Sequence, residues 1–327
     1  MRNITVFLVL VIMLNCIHVA AAQDQTAPSY AFSTWTRFGM LYGQAEEIVY
    51  PSNTRAELLS QLLWDIKPIF YYGLSLDFSR TQPMAQWGFF TTLSLKNAIP
   101  GKSGEMEDRD WMSVENSGLT HYSTHDAFAN NLFLLDLSAG LSFPIKRLLL
   151  LKPYVAMSYM HFDFSGKYGH GTYAQHLGGG KYASINDTPQ KVSFSDWEKV
   201  INYTQDWLSV GPGISIAYYF FNIFCAELFF QISPWVLCND LDEHLTTGYQ
   251  FRDYMRGGLY IEPGFHFSWF AGKRLELSLD FSWRHINGTR GETWWGTPIG
   301  TANPLQQGEA GAGLSMIDAG LCLKIRL

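Results

Sequence analysis

Charged side chains are scarce in this 327-residue chain: Asp, Glu, Lys and Arg make up 16% of it, against about 25% in ordinary soluble domains. Aromatic residues match them at 16%. A soluble monomer of that composition would expose large apolar patches, which such proteins avoid. Long apolar runs are missing too. Past residue 22 every extended apolar stretch is interrupted, and the nearest to a span, 214–230, contains Asn222 and Glu227. A transmembrane helix needs about 18 unbroken apolar residues, so none is expected. Mean hydropathy of −0.03 excludes a helical membrane bundle. Cysteine is nearly absent. After residue 22 only Cys225, Cys238 and Cys322 remain, an odd number at wide spacing that fits neither a disulfide framework nor a zinc site. Basic charge is in deficit, with a net charge of −6, which argues against a nucleic-acid partner.

What is present is alternation. Leu275–Trp283 and Leu135–Phe143 alternate apolar with polar or small residues without error; Leu74–Phe78, Pro263–Trp269 and Leu321–Leu327 repeat the pattern. Successive strand side chains point to opposite faces, so one face suits lipid and the other a polar lumen. Residues 1–22 have the parts of a secretory signal: Arg2, the apolar Ile4–Leu14, and Ala20-Ala21-Ala22 before Gln23. Cys16 follows Asn15, an unusual neighbour for lipid attachment. Cleavage after Ala22 would leave 23–327 as a mature domain.

Ten strands are predicted, over 31–45, 58–78, 84–97, 127–143, 152–165, 199–219, 224–240, 250–269, 275–287 and 312–327. Short connections alternate with long ones at 46–57, 98–126, 166–198, 241–249 and 288–311. The expected fold is all-β: a ten-stranded antiparallel transmembrane β-barrel with five long extracellular loops. A soluble sandwich also alternates, but the long strands, their Leu, Phe and Trp face and the export signal favour the barrel. Trp64, Trp269, Trp294 and Trp295 are expected in an interfacial girdle or in loops, and His266 and Lys324 in the lumen.

Two charged motifs fall at the long-loop ends of strands: Glu107-Asp108-Arg109-Asp110-Trp111-Met112 and Asp240-Leu241-Asp242-Glu243-His244. In extended chain, residues two apart share a face, their Cα atoms roughly 6.5–7 Å apart. Asp108 and Asp110 then point together, as do Asp240, Asp242 and His244. A carboxylate beside an imidazole orients it and raises its basicity, so two such sets on facing walls would suit water activation. An Asp-x-Asp in an exposed loop is more often a solvated face or a loose calcium-ligand pair. The residues alone leave these readings open.

Both motifs resemble the signatures of the omptin family of ten-stranded outer-membrane endopeptidases. The likeness extends to Leu41–Tyr50 and to Ser60-Gln61-Leu62. The resemblance implies a nucleophilic water held between the pair Asp108 and Asp110 and an Asp–His pair, with His244 as general base and Asp242 as its orienting partner. It implies cleavage after Arg or Lys, with Glu47 and Asp240 as substrate-binding carboxylates, and no metal or cofactor. A guanidinium or ammonium leaving water needs such a partner. An acidic rim that includes Glu46, Glu105, Glu107, Glu115 and Glu243 would steer cationic peptides or proteins inward. Outer-membrane lipid is the other partner implied, for a monomer of the bacterial outer membrane that crosses it many times and faces its site outward.

There are departures from the family. Leu119–His125 resembles its Ser-x-His stretch at Ser123 and His125, but is one residue shorter and lacks an evident acid to favour a base beyond the cut; His121 or Tyr122 stands in that neighbourhood. The family's lipid A-binding arginines align with Asp163 and Asp206. A carboxylate repels a phosphate, so dependence on lipopolysaccharide is not expected; another lipid activator, or none, is. The rival from another class is a catalytically inactive surface barrel acting as an adhesin or host-protein-binding protein. A passive porin is disfavoured, because Asp65, Lys67, Asp77, Asp136, Glu227 and Arg326 could pair and plug the lumen. His176–Lys181 lacks the full spacing of a phosphate loop and reads as a flexible glycine loop. His161, His170 and His176 would bind a metal only if that loop brought them together.

Overall fold

Along Leu275–Arg284 the buried side chains are Glu276, Ser278, Asp280, Ser282 and Arg284, while Leu279, Phe281 and Trp283 are exposed. This inverts the pattern of a soluble strand, and it is what a hydrocarbon surround selects: apolar atoms outward, polar groups inward. The computed structural model describes residues 29–50, 58–82, 87–115, 117–146, 148–187, 189–196, 199–221, 223–272 and 274–326. The expected signal at 1–22 lies outside them.

Among the described residues there are seventeen strands, not the ten expected: β1 Ser29–Tyr50, β2 Ser60–Gln82, β3 Trp87–Ala98, β4 Gly101–Asp110, β5 His121–Lys146, β6 Leu149–Tyr173, β7 His176–Gly178, β8 Lys181–Tyr182, β9 Gln190–Ser193, β10 Ile201–Phe220, β11 Phe224–Ser233, β12 Trp235–His244, β13 Tyr249–Arg256, β14 Leu259–Ala271, β15 Leu275–Asn287, β16 Arg290–Gly296 and β17 Asn303–Arg326. Fifteen form one antiparallel sheet, and β7 with β8 forms a second. The excess over ten has local causes. Extended chain is interrupted at Pro100 and Pro234, which cannot donate to a ladder. It is interrupted again at Gly257-Gly258 and Gly288, whose φ angles of 80°, 81° and 72° suit glycine. The five long loops are corrected with the count. Segment 98–126 contains β4 and the start of β5, 166–198 the end of β6 with β7, β8 and β9, and 288–311 β16 and the start of β17. Only a four-residue turn separates β12 from β13.

The breaks divide the sheet into two tiers. In the lower tier β2 pairs β3, β3 pairs β5, β5 pairs β6, β6 pairs β10, and β11, β14 and β15 follow in order. In the upper tier β2 pairs β4, β4 pairs β5, β5 pairs β6, β6 pairs β10, and β12, β13 and β16 follow. Both β15 and β16 pair β17, which pairs β1. Two ladders run through both tiers with no register shift: β1 on β17, from Ser33↔Arg326 to Tyr50↔Glu309, and β6 on β10, from Leu149↔Tyr218 to Gly166↔Ile201.

The lower interior holds a cavity of about 570 Å³ crossed by ion pairs. These include Arg37–Asp280 at 2.8 Å, Lys324–Asp77 at 2.8 Å, Lys152–Glu227 at 2.5 Å and Arg284–Asp136 at 2.8 Å. His266 also reaches Asp280, at 2.7 Å. Above it lies an apolar cluster that includes Ile66, Met160, Phe162 and Trp207. Trp64 belongs to this cluster, not to a girdle. It is fully buried and stacks on Phe164 and Tyr203 at 5.5 and 5.4 Å, because Leu62, Trp64 and Ile66 share the inward face of β2.

Candidate functional site

The upper tier sets the two sequence motifs on separate walls. In β4, Asp108 lies between Leu62 of β2 and Ser123 of β5, and Asp110 between Ser60 and His121. In β12, Trp235, Leu237 and Asn239 are exposed while Val236, Cys238, Asp240 and Asp242 are buried. Leu237 is the last large apolar side chain exposed on that strand, so the acidic end lies beyond the lipid-facing band. Asp108, Asp110, Asp242 and His244 all line one cavity of about 680 Å³.

Their electrostatics are coupled. His244 Nε2 is 2.6 Å from Asp242 Oδ2, which leaves Nδ1 as the basic nitrogen. Burial works against charge on this ring, but Asp242 and then Asp108 and Asp110 hold its pKa up to about 9. Burial pushes Asp108 well above the usual carboxylate range, and Asp110 adds to this while His244 opposes it. Asp110 is pushed up to about 6 by burial, against a hydrogen bond from Ser60 and the attraction of His244. Asp108 Oδ1 and Asp242 Oδ1 have no hydrogen-bond donor among the described residues.

Beside them lies a cluster of three carboxylates. Glu47, Asp240 and Asp253 are 1%, 5% and 0% exposed, and each offers an oxygen within 4.8 Å of the others. A relay of donors supports one corner: Trp207 Nε1 donates to Gln205 Oε1 at 2.8 Å, Gln205 Nε2 to Tyr203 Oη at 2.7 Å, and Tyr203 to Asp240 Oδ2 at 3.1 Å. Glu47 Oε2, Asp240 Oδ1 and both oxygens of Asp253 have no partner among the described residues. Burial raises the pKa of all three, that of Asp253 to about 7. An all-oxygen set of this kind would take a hard cation or the cationic head of a side chain. Among the described residues it is the only group of three or more such ligands; His161, His170 and His176 form none.

Asp253 was not expected from the sequence. It stands directly opposite Asp240 in the β12–β13 hairpin, and counting back from a tight turn after His244 would have placed it there. The glycine stretch at 176–181 is ordered as β7 and β8, with Gly178, Gly179 and Gly180 at φ 90°, 60° and 73°. On the outer wall, Asp206 accepts hydrogen bonds from Tyr159 at 2.6 Å and His161 at 2.9 Å, and Asp163 accepts one from Asn130 at 3.0 Å.

A sequence model of the omptin family matches residues 28–325. The plasminogen activator of Yersinia pestis is 27% identical over 286 residues, covering 84% of this chain and 83% of that protein. The crystal structure of the outer membrane protease OmpT from Escherichia coli is similar at a TM-score of 0.78. It shares 19% identity and covers 94% of this chain and 99% of that one, a likeness of fold.

Proposed function

Because this chain belongs to the omptin family, we propose that it is an outer-membrane endopeptidase that hydrolyses peptide bonds following a basic residue. The observation that carries this reading is the joint lining of one cavity by Asp108, Asp110, Asp242 and His244, with three buried carboxylates clustered beside them. A water held between the two pairs gives a proton to His244 Nδ1 as its oxygen attacks the scissile carbonyl. Asp242 fixes the ring and stabilises the imidazolium, which then protonates the leaving amine. Asp108 and Asp110 hold the water. The proton that burial favours on Asp108 can hydrogen-bond the carbonyl oxygen as it gains charge. Glu47, Asp240 and Asp253 receive the guanidinium or ammonium of the residue before the cut, and its positive charge relieves their mutual repulsion. The pocket faces outside the cell, reached by peptides steered to its acidic mouth.

A quenched fluorescent peptide with a central Arg-Lys bond tests the reading on the refolded barrel. Cleavage that is lost in both Asp108→Ala and His244→Ala is expected. A folded barrel that cuts no basic peptide, with or without lipopolysaccharide, would refute it. Equal rates in wild type and variants would refute the site.

A further inference from the structure

The cavity has a second end of different chemistry. In the upper tier, β1 with Glu47 lies two strands to one side of β4, while β5 and β6 lie on the other. There His121 meets Tyr173 and Tyr182 edge-on, with ring centroids 4.8 and 5.2 Å apart. Phe194 meets His125 in the same manner at 4.9 Å. These five rings line the cavity that also holds Asp110. Among the described residues, its only lining carboxylates are Glu47, Asp108, Asp110 and Asp242, so none is left to receive a cation at this end.

Both imidazoles here are held in place by hydrogen bonds. Thr120 Oγ1 donates to the Asp110 carbonyl at 2.9 Å and accepts from Met112 N at 3.0 Å. Its one proton is thereby used, so at 3.0 Å from His121 Nδ1 it must accept from the ring. His121 Nε2 remains as an acceptor. His125 Nδ1 donates to the Tyr168 carbonyl, and its Nε2 lies 3.0 Å from Ser123 Oγ. Burial pushes both pKa values down.

We propose that this aromatic box receives an aromatic side chain of the substrate on the far side of the scissile bond, so that the preferred cut falls between a basic and an aromatic residue. The inference rests on the proteolytic reading above. Edge-on rings offer a further ring the geometry that aromatic groups favour, and His121 Nε2 can accept a hydrogen bond from a Tyr hydroxyl or a Trp indole. Tyr and Trp are therefore preferred over Phe, and a bare Lys finds no carboxylate.

The test is a peptide series with Arg before the cut and Gly, Lys, Phe, Tyr or Trp after it, assayed for kcat/KM on the refolded full-length barrel. Tyr and Trp peptides are expected to exceed the Gly peptide by about tenfold or more. In Tyr182→Ala that ratio should fall toward one, and His121→Asp should reverse the order in favour of Lys. Heat-modifiable electrophoretic mobility confirms that each variant is folded. A flat series, or Lys best in the wild type, overturns the box while leaving the protease standing. Cleavage of none of the peptides overturns both.

Discussion

Replacing Asp242 by Asn keeps the shape of the side chain and removes its charge. The pKa of His244 stands at about 9 against an ordinary 6.5, and Asp242 is the largest influence raising it. At roughly 1.4 kcal/mol per pH unit, the protonated ring is favoured by about 3 kcal/mol, to order of magnitude. Without that charge, burial should dominate and bring the value to about 6.5 or below. Only the neutral ring can take a proton, so in the wild type kcat/KM is expected to climb about tenfold per pH unit toward about 9. In Asp242→Asn the limb should move to lower pH while the plateau falls by about 10²–10⁴-fold, because the ring loses its orienting partner. Carbon-13 NMR of labelled histidine in detergent would follow the titration, with the resonance assigned by its absence in His244→Ala. A pKa raised by folding stabilises the native state fully below about 6.5, and that contribution is lost as pH rises through about 9. A His244 signal still titrating near 9 in the variant, or a wild-type rate already level by pH 7, would refute the assignment.

Asp253→Asn should reduce kcat/KM on Arg peptides by about tenfold, mostly through KM, and a ratio near one would remove Asp253 from the cation pocket. The same variant bears on stability. The pKa of Asp253 is raised to about 7 by folding, so the native state loses stability as pH rises from about 4 toward 7. Asp253→Asn should therefore unfold at higher urea than wild type at pH 8 but not at pH 4, read by tryptophan fluorescence. With Asp163 and Asp206 already bonded to Asn130, Tyr159 and His161, added lipopolysaccharide should raise activity by no more than about twofold; a larger activation would show that phosphate is bound without those arginines. Trp64→Ala opens the core beneath the site and should cost about 3–5 kcal/mol, measured by urea unfolding; a loss below about 1 kcal/mol would place that ring outside the structural core.

Where period-two alternation was long, the sequence was readable. Leu275–Asn287 forms one strand as expected, and Asp240, Asp242 and His244 share a face because alternation continues to the end of β12. The count of strands is not legible, for a reason visible at single residues. Pro100, Pro234, Gly257, Gly258 and Gly288 interrupt chains that composition alone presents as continuous or as loop, and segments with polar charge patterns such as Gly101–Asp110 were taken for loops although both neighbours pair them. Local pattern does not report which segments will find partners. Trp64 was misplaced because position near a predicted end says nothing about facing direction. Asp253 required register, a property of two strands together.

The unbroken ladders give the groove a fixed measure. The walls that carry Asp108 with Asp110 and Asp242 with His244 each belong to hairpins set off by a proline or glycine break, whereas β1 on β17 and β6 on β10 run through both tiers without a shift. Bending at the breaks can widen or narrow the gap between the walls. It leaves the spacing from Glu47, on one ladder, to Ile201, at the end of the other, almost untouched. The cleft would then act as a gauge whose jaws move but whose length does not, holding any peptide in one reading frame against the water.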